Sequence, residues 1–588
     1  MKYSSIPAAQ AVVMHCKHSG IRHIVISPGS RNAPLVLGFT NDPFFECYSV
    51  VDERSAAFFA LGMAQQLKEP VAAICTSGSA LLNYYPAVAE AFYSDIPLVL
   101  ISADRPSYKI DRGDGQTIRQ DRVFDRHIAY SAHLRQDVTH ATSTIATLAP
   151  QMLEQDKDLE SIQEVVGQYN YAELQRALQT ALQQSSPVHI NVPFEEPLYG
   201  LSADISVENP VYPTEAPSQR AIGIEKFSRV WRESGRKMIL VGVNPPGQIE
   251  QELLDRLAED STVLIFTETT SNLHHTNSFP SIDSIIAPIE KSADPNQDFE
   301  ALKPEILLTF GGLIVSKKIK AFLREFKPQF HWHVHPIKAY DTFFSLTHHV
   351  KSDPNTFLEQ LLQDYDDVPG SYRDSWLPRK SYVRRMRSRY LKQIPFSDFK
   401  AFSHLMNSIP AGYMVQLANS STVRYAQLFD MSPANPVFCN RGTSGIDGST
   451  STAVGAALHY DNPTLLISGD LSFLYDINGL WNNYLRPDLR IVVVNNGGGG
   501  IFRILPGKEE SPEFEQYFET PQKQSLGSIC ATYGLEYCEA IDEESLVREL
   551  SDFYNPSRTP KLLDIRTPRT LNDKILLGYF EFLSSNKS

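Results

Sequence analysis

Short apolar runs alternate with stretches of helical period along most of this chain. HIVIS (23–27), VAAIC (71–75) and LVLISA (98–103) lie near the front, and TLLIS (464–468) and IVVV (491–494) lie near the end. Between them fall MILVGV (238–243), VLIFTE (263–268), ILLTFGG (306–312) and FHWHVHP (330–336). Runs this short, bounded by Gly and Pro, predict strands buried on both faces, as in parallel sheets covered by helices. Amphipathic spacing predicts helices from Ala8 to His18, through an acidic segment from Met152 to Gln168, and at Phe473, Leu474, Ile477, Leu480, Trp481 and Leu485, where Pro487 ends the pattern. The stretches 70–105 and 463–503 both read strand, Gly-containing turn, helix, proline, strand, so the two ends of the chain share an architecture.

Alternation of this kind predicts an α/β fold of three doubly wound parallel-sheet domains, at 1–200, 219–365 and 396–588. A polar, proline-rich linker (201–218) separates the first two, and a charged segment with a helix (366–392) separates the last two. Gly242 and Gly311-Gly312 end strands of the central domain, but no GxGxxG follows a strand, so dinucleotide binding is not supported.

Length changes this picture little: 588 residues are what three such domains need. A net charge of −14 argues against nucleic acid or an anionic membrane as partner. The six cysteines show no CxxC and several lie in apolar runs, as reduced core residues of a cytoplasmic protein do. The N-terminus lacks the apolar core of a signal peptide, and no run reaches the ~18 residues of a membrane span. His331, His333 and His335 share one face of a strand without accompanying carboxylates or cysteines, so they are expected to face solvent rather than hold zinc.

Chemistry enters at the carboxyl ends of two strands. Asp470 ends one run, and Asn496, twenty-six positions on, ends the next and opens the glycine run Gly497–Gly500. Open α/β sheets bind ligands at that edge. Mg²⁺ takes oxygen ligands, usually one or two from carboxylates or carbonyls, with phosphate oxygens and water completing the octahedron. Asp470, the Asn496 amide oxygen and the Gly498 carbonyl supply such a set for a magnesium diphosphate. Either piece alone reads better as a helix cap or a turn. Glu53 ends an apolar run and opens a helix rich in Ala and Phe, a setting that desolvates a carboxyl and raises its pKa. Gly445 and Gly448 in NRGTSGIDGS allow close approach of the backbone to a ligand.

GD, then about 25–30 residues, then NN resembles the diphosphate-binding signature of thiamine-diphosphate enzymes of the pyruvate-decarboxylase and acetolactate-synthase type. Within them the chain resembles the 2-succinyl-5-enolpyruvyl-6-hydroxy-3-cyclohexene-1-carboxylate synthases of menaquinone biosynthesis, from about Ile6 to its end. The resemblance implies pyrimidine-binding, central and diphosphate-binding domains in that order. It implies an enzyme, a transferase, that decarboxylates 2-oxoglutarate and adds the succinyl-semialdehyde carbanion equivalent to isochorismate in a 1,4-addition. Cofactors would be thiamine diphosphate and Mg²⁺, with Mn²⁺ able to replace it. Glu53 matches the catalytic glutamate that hydrogen-bonds the cofactor's ring nitrogen, and Ile446 matches the apolar residue wedged between its two rings. Leu471 stands where the wider GDG signature has its second glycine, a substitution usual in this branch. Assembly would be a homodimer or homotetramer with active sites between subunits.

Both substrates carry two carboxylates, for which planar guanidinium forks are the best match. The positions matching the family's substrate residues are Ser30, Arg31, Arg105, Gln116, Lys317, Ser420, Arg424 and Arg441, with Ile501 and Phe502 as apolar cover. Two departures stand out: Gly115 replaces an Asn of some members, and Lys318 follows Lys317 where an Arg can occur. The alternative activity is another carboligation or decarboxylation with the same cofactor, such as acetohydroxyacid synthesis. A doubly wound regulatory protein that binds no thiamine diphosphate is the non-enzymatic reading.

Overall fold

The apolar runs at the front of the chain become the strands His23–Ile26, Val71–Cys75 and Leu98–Asp104, and Glu46–Ser49, Tyr130–His133 and Val188–Pro193 complete their sheet. All neighbours are parallel and, numbered along the chain, lie in the order 2-1-3-4-6-5. The back of the chain repeats this order with Met414–Leu417, Val437–Cys439, Thr464–Gly469, Arg490–Asn495, Glu536–Ala540 and Lys561–Arg566. Between them Lys237–Val241, Val263–Thr267, Ile306–Phe310, Phe330–Val334 and His348–Val350 form a third parallel sheet in the order 2-1-3-4-5. Three doubly wound parallel sheets are therefore present. The structure, a computed structural model, describes residues 2–153, 156–212, 222–365, 369–504 and 510–585. Linker residues 213–218 lie outside the described residues.

The inner strands of each sheet are buried from both sides, which is why they read as continuous apolar runs, whereas the edge strands Glu46–Ser49, Tyr130–His133 and Glu536–Ala540 are partly exposed. In the central sheet Ile239 and Val241 join Phe227, Trp231 and Leu253 on one face, while Met238 and Leu240 join Phe279, Ile285 and Leu323 on the other. In every sheet the order reverses between strands 1 and 3, the switch point at which such sheets bind ligands. Among the described residues no helix is long and apolar enough to cross a membrane.

By compactness the chain divides into two units. One holds Met1–Pro217 with Gly442–Asp461 and Asp476–Arg486; the other holds Ser218–Arg441, Asn462–Tyr475 and Pro487–Ser588. In the first, the helix Glu53–Leu67 lies on the helix Ser449–Ala457 at backbone contact. A Cβ at Gly62 would fall 2.1 Å from the Thr452 carbonyl oxygen, and one at Gly455 2.1 Å from that of Phe59. Only glycine permits this approach.

Three local expectations change. The helix expected through Leu485 ends at Tyr475, and a 3₁₀ turn, Ile477–Leu480, follows. The fully buried Asp476 accepts from the Ser451 amide (2.7 Å) and hydroxyl (2.9 Å), which pulls the segment onto the 449–457 helix. The acidic helix runs Leu159–Gln184, later than its pattern suggested, because Asp158 caps it by accepting from the Ser161 amide. His331 and His333 are buried rather than facing solvent. Their strand is interior, both rings bond the Thr309 hydroxyl, and burial pushes their pKa values down to about 4 and about 3.

Candidate active site

Asp470 and Asn496 follow two adjacent parallel strands, so both emerge at one edge of the back sheet. Asp470 is buried; Oδ1 accepts from the Leu471 amide at 2.8 Å, and Oδ2 has no protein partner. Burial, aided by the nearby Asp398 carboxylate, raises its pKa to about 7 against the pull of the Leu471, Gly498 and Gly497 amides. A buried carboxylate oxygen without a donor is costly, and a cation is its complement. Asn496, also buried, donates from Nδ2 to Asp398 Oδ2 at 2.9 Å, which leaves its carbonyl oxygen for another partner. Gly498 has φ 149°, and a Cβ there would lie 2.6 Å from the Glu519 carbonyl oxygen. An acid, an amide oxygen and a glycine carbonyl are the oxygen donors a magnesium diphosphate needs, so the residues fit that group. Ile501 and Phe502 follow in the 3₁₀ turn Gly500–Ile504, both half-buried, with Phe502 6.0 Å from the Phe518 ring.

The same unit gathers cations at its strand ends. Arg441 is buried and donates from Nη1 to Asn419 Oδ1 at 2.7 Å, while Asn419 donates to the Asn440 carbonyl. Asn272 brackets the edge strand that leads to Arg441, accepting from the Val437 amide and donating to its carbonyl, each at 2.8 Å. Burial and Arg441 lower the pKa of Arg424, whose Nε is buried without a partner. Ser420, just ahead of the helix Ser421–Ala426 that carries Arg424, stands at φ 67°, a conformation rare outside glycine and common at functional sites. Below lies Glu268, buried, accepting from the Val315 amide (2.8 Å to Oε2) and the Ser316 amide (2.7 Å). Burial raises its pKa to about 7 despite those bonds and Arg441.

Lys317 opens the helix Lys317–Glu325 and is exposed. Lys318 is bound instead to Glu290 and stacked over the Phe580 ring. Lys320, one turn on, faces the cluster: burial lowers its pKa, Glu268 raises it, and Arg441 and Arg424 lower it. Sequence reading does not single out Lys320, although its i+3 spacing from Lys317 on an amphipathic helix is a usable signal.

In the other unit Glu53 begins its helix half-buried, and Asp52 is the cap, accepting from the Ser55 amide at 3.1 Å. Burial raises the Glu53 pKa and Asp52 adds to it. Arg105 is half-buried and donates to the Gly115 carbonyl at 2.9 Å, holding the segment that carries Gln116. Gln116 is exposed at φ 57°, with its backbone 3.2 Å from where a Cβ on Gly78 would stand. Ser30 is exposed. Arg31, its neighbour, is almost fully buried and donates to the Phe194 carbonyl and Glu196 Oε1, each at 3.0 Å. Ile446, 37% exposed, and Gly445 lie in the turn before the 449–457 helix. Glu90, which the sequence did not single out, holds that turn by accepting from the Gly442 and Thr443 amides, both at 2.7 Å, and the Thr443 hydroxyl at 2.9 Å.

Comparison with known proteins adds to this geometry. The family described as thiamine pyrophosphate enzyme, N-terminal TPP binding domain, matches residues 6–123, and the corresponding C-terminal TPP binding domain matches 418–565. A protein of Christiangramia forsetii named 2-succinyl-5-enolpyruvyl-6-hydroxy-3-cyclohexene-1-carboxylate synthase is 49% identical, over 100% of both chains. Proteins of the same name from Flavobacterium psychrophilum and Porphyromonas gingivalis are 48% identical over 99% of this chain and 100% of the relative, and 38% identical over 96% and 95%.

Proposed function

The chain belongs to the 2-succinyl-5-enolpyruvyl-6-hydroxy-3-cyclohexene-1-carboxylate synthases, thiamine-pyrophosphate enzymes of menaquinone biosynthesis, and on that premise we propose how its residues divide the work. As a member it is a transferase that uses thiamine diphosphate, 2-oxoglutarate and isochorismate. The succinyl-semialdehyde unit of 2-oxoglutarate is added to isochorismate in the 1,4 sense, CO₂ is lost and the enolpyruvyl group is kept. The observation that carries the residue assignment is the buried, unpartnered Asp470 Oδ2 beside Asn496 at the diphosphate-binding end of the chain.

Asp470, Asn496 and the Gly498 carbonyl would hold Mg²⁺, or Mn²⁺, against the cofactor's diphosphate, with Leu471 beside it. Bound thiamine diphosphate supplies the carbon nucleophile for the 2-oxo group and accepts the electrons released as CO₂ departs. Glu53 is the catalytic acid–base residue: half-buried and with a raised pKa, it holds a proton shared with the cofactor's ring nitrogen. Gly445 leaves room for the cofactor and Ile446 props its two rings. Arg424, Arg441 and Lys317 receive substrate carboxylates, with Ser420 beside them, and the burial of Arg441 and half-burial of Arg424 strengthen each charge–charge contact. Ser30, Arg31, Arg105 and Gln116 serve from the pyrimidine-binding side, Arg31 through the donors left after its bonds to Phe194 and Glu196. Ile501 and Phe502 exclude water over the reacting centre.

The domain division 1–200, 219–365 and 396–588 goes with this reading. So does a homodimer or homotetramer with the Glu53 domain of one copy against the diphosphate domain of another, in the cytoplasm. Val51, Leu82 and Tyr85, each more than a third exposed, give apolar surface that a second copy would cover. Incubation with thiamine diphosphate, Mg²⁺, 2-oxoglutarate and isochorismate tests the activity. Consumption of isochorismate and a product of the expected mass are the result foreseen; turnover of pyruvate alone by a yellow, flavin-bearing protein would point to acetohydroxyacid synthesis instead.

A further inference from the structure

Asp398 begins the helix Asp398–Ser408, far in sequence from every motif above, and is 2% exposed. Its Oδ2 accepts from Asn496 Nδ2 at 2.9 Å, its Oδ1 accepts from the Thr567 hydroxyl at 2.5 Å, and its own amide donates to Asn572 Oδ1 at 2.8 Å. The Thr567 hydroxyl in turn accepts from Asn572 Nδ2 at 3.4 Å, so its single proton is directed at Asp398. Gly500 leaves space on the other side; a Cβ there would stand 3.0 Å from Asn496 Nδ2.

A side-chain amide has one accepting and one donating end, and a half-turn exchanges them with almost no change of shape. A buried neighbour that only accepts removes the choice. We propose that Asp398 is a positioning residue for the divalent cation: by taking the Asn496 NH₂ group it fixes the Asn496 carbonyl oxygen toward the space where Asp470 Oδ2 stands without a partner. The proposal rests on the assignment of Asp470 and Asn496 as cation ligands. It makes Asp398 an outer partner of the site, of the kind whose loss lowers metal affinity about 10–100-fold.

An isosteric change discriminates best. In Asp398→Asn the new carbonyl faces the Thr567 proton, so the new NH₂ faces Asn496 and forces its amide to turn. Asp398→Ala removes the acceptor without adding a donor, and the ion can still draw the Asn496 carbonyl toward itself. Mn²⁺ titration of the full chain with saturating thiamine diphosphate, followed by electron paramagnetic resonance of free Mn²⁺, reads affinity without turnover. Asp398→Asn is expected to lose about 10–100-fold and Asp398→Ala less, with the metal-free melting temperature of Asp398→Asn near that of the parent. The exchanged pair, Asp398→Asn with Asn496→Asp, regains most of the loss, because the carboxylate now at position 496 accepts from the amide at position 398 and keeps an oxygen for the ion. Undiminished affinity in Asp398→Asn, equal loss in the Asn and Ala variants, or no recovery in the exchanged pair overturns the proposal. A parent protein that binds no Mn²⁺, or an Asp470→Ala variant that binds it normally, overturns the ligand assignment instead.

Discussion

The front and back sheets have the same strand order and opposite chemistry at their carboxyl ends. Strand 2 leads to Glu53 in front and Arg441 behind; strand 3 leads to Gly78 in front and Asp470 behind; strand 4 leads to Arg105 in front and Asn496 behind. Both switch points are suited to bind a ligand, and at the back one an acid and an amide end two adjacent strands. The fold supplies positions, and the residue at each position decides the task. The central sheet extends the contrast. Its strand 2 also leads to a glutamate, Glu268, but three hydrogen bonds from the Val315 and Ser316 amides tie that carboxylate to a neighbouring loop, whereas Glu53 stays half-exposed.

Substitutions at matching strand ends break or sharpen this comparison. Asp470→Ala has the largest expected effect: cation-dependent binding of thiamine diphosphate disappears in a calorimetric titration, and turnover goes with it. Glu53→Gln, at the front, is expected to cut turnover by about 10²–10⁴ while the cofactor still binds. If the two variants lose the cofactor equally, the front and back ends do not divide the work. Arg441→Ala is expected to lower kcat/KM for 2-oxoglutarate or isochorismate roughly 10–100-fold, the value of a charge-assisted bond of about 1.5–3 kcal/mol. Arg31→Ala should harm substrate use more than cofactor binding as well. It should also lower the melting temperature, because it strands the Phe194 carbonyl and Glu196. An Arg31→Ala protein with normal kinetics and reduced stability would make Arg31 a structural clamp.

Glu268→Gln is expected to touch catalysis least and is read in stability. The folded pKa of about 7 lies above the ordinary 4.5, so between those values the folded chain binds more protons than the unfolded one. Stability from this group is full below pH about 4.5 and is lost as pH rises through 7, a change on the order of 3 kcal/mol. Chemical denaturation from pH 5 to 8 should show a shallower decline for the Gln variant. Parallel slopes for the two proteins would assign the titration elsewhere.

Most strands could be read from the chain because burial on both faces leaves an unbroken apolar run. Asp470 and Asn496 could be read because strand ends and glycine runs are local. Asp398, Glu90 and Asn272 could not: each reaches its partner by a side chain from a distant segment, and nothing beside them in sequence differs from an ordinary cap or surface residue. The interrupted helix after Tyr475 has the same cause, since its pattern is intact and a buried bond from Ser451 to Asp476 overrides it. His331 and His333 misled because alternation predicts a solvated face only for a sheet with one face open, and this strand has none.

The close approach at Gly62 and Gly455 has a mechanical result. With main chain against main chain, the two helices cannot slide or roll past each other without collision, so they move as a single stiff lever. The glutamate at one end and the isoleucine-bearing turn at the other keep a fixed spacing before any small molecule arrives. Binding energy then need not be spent on ordering either one.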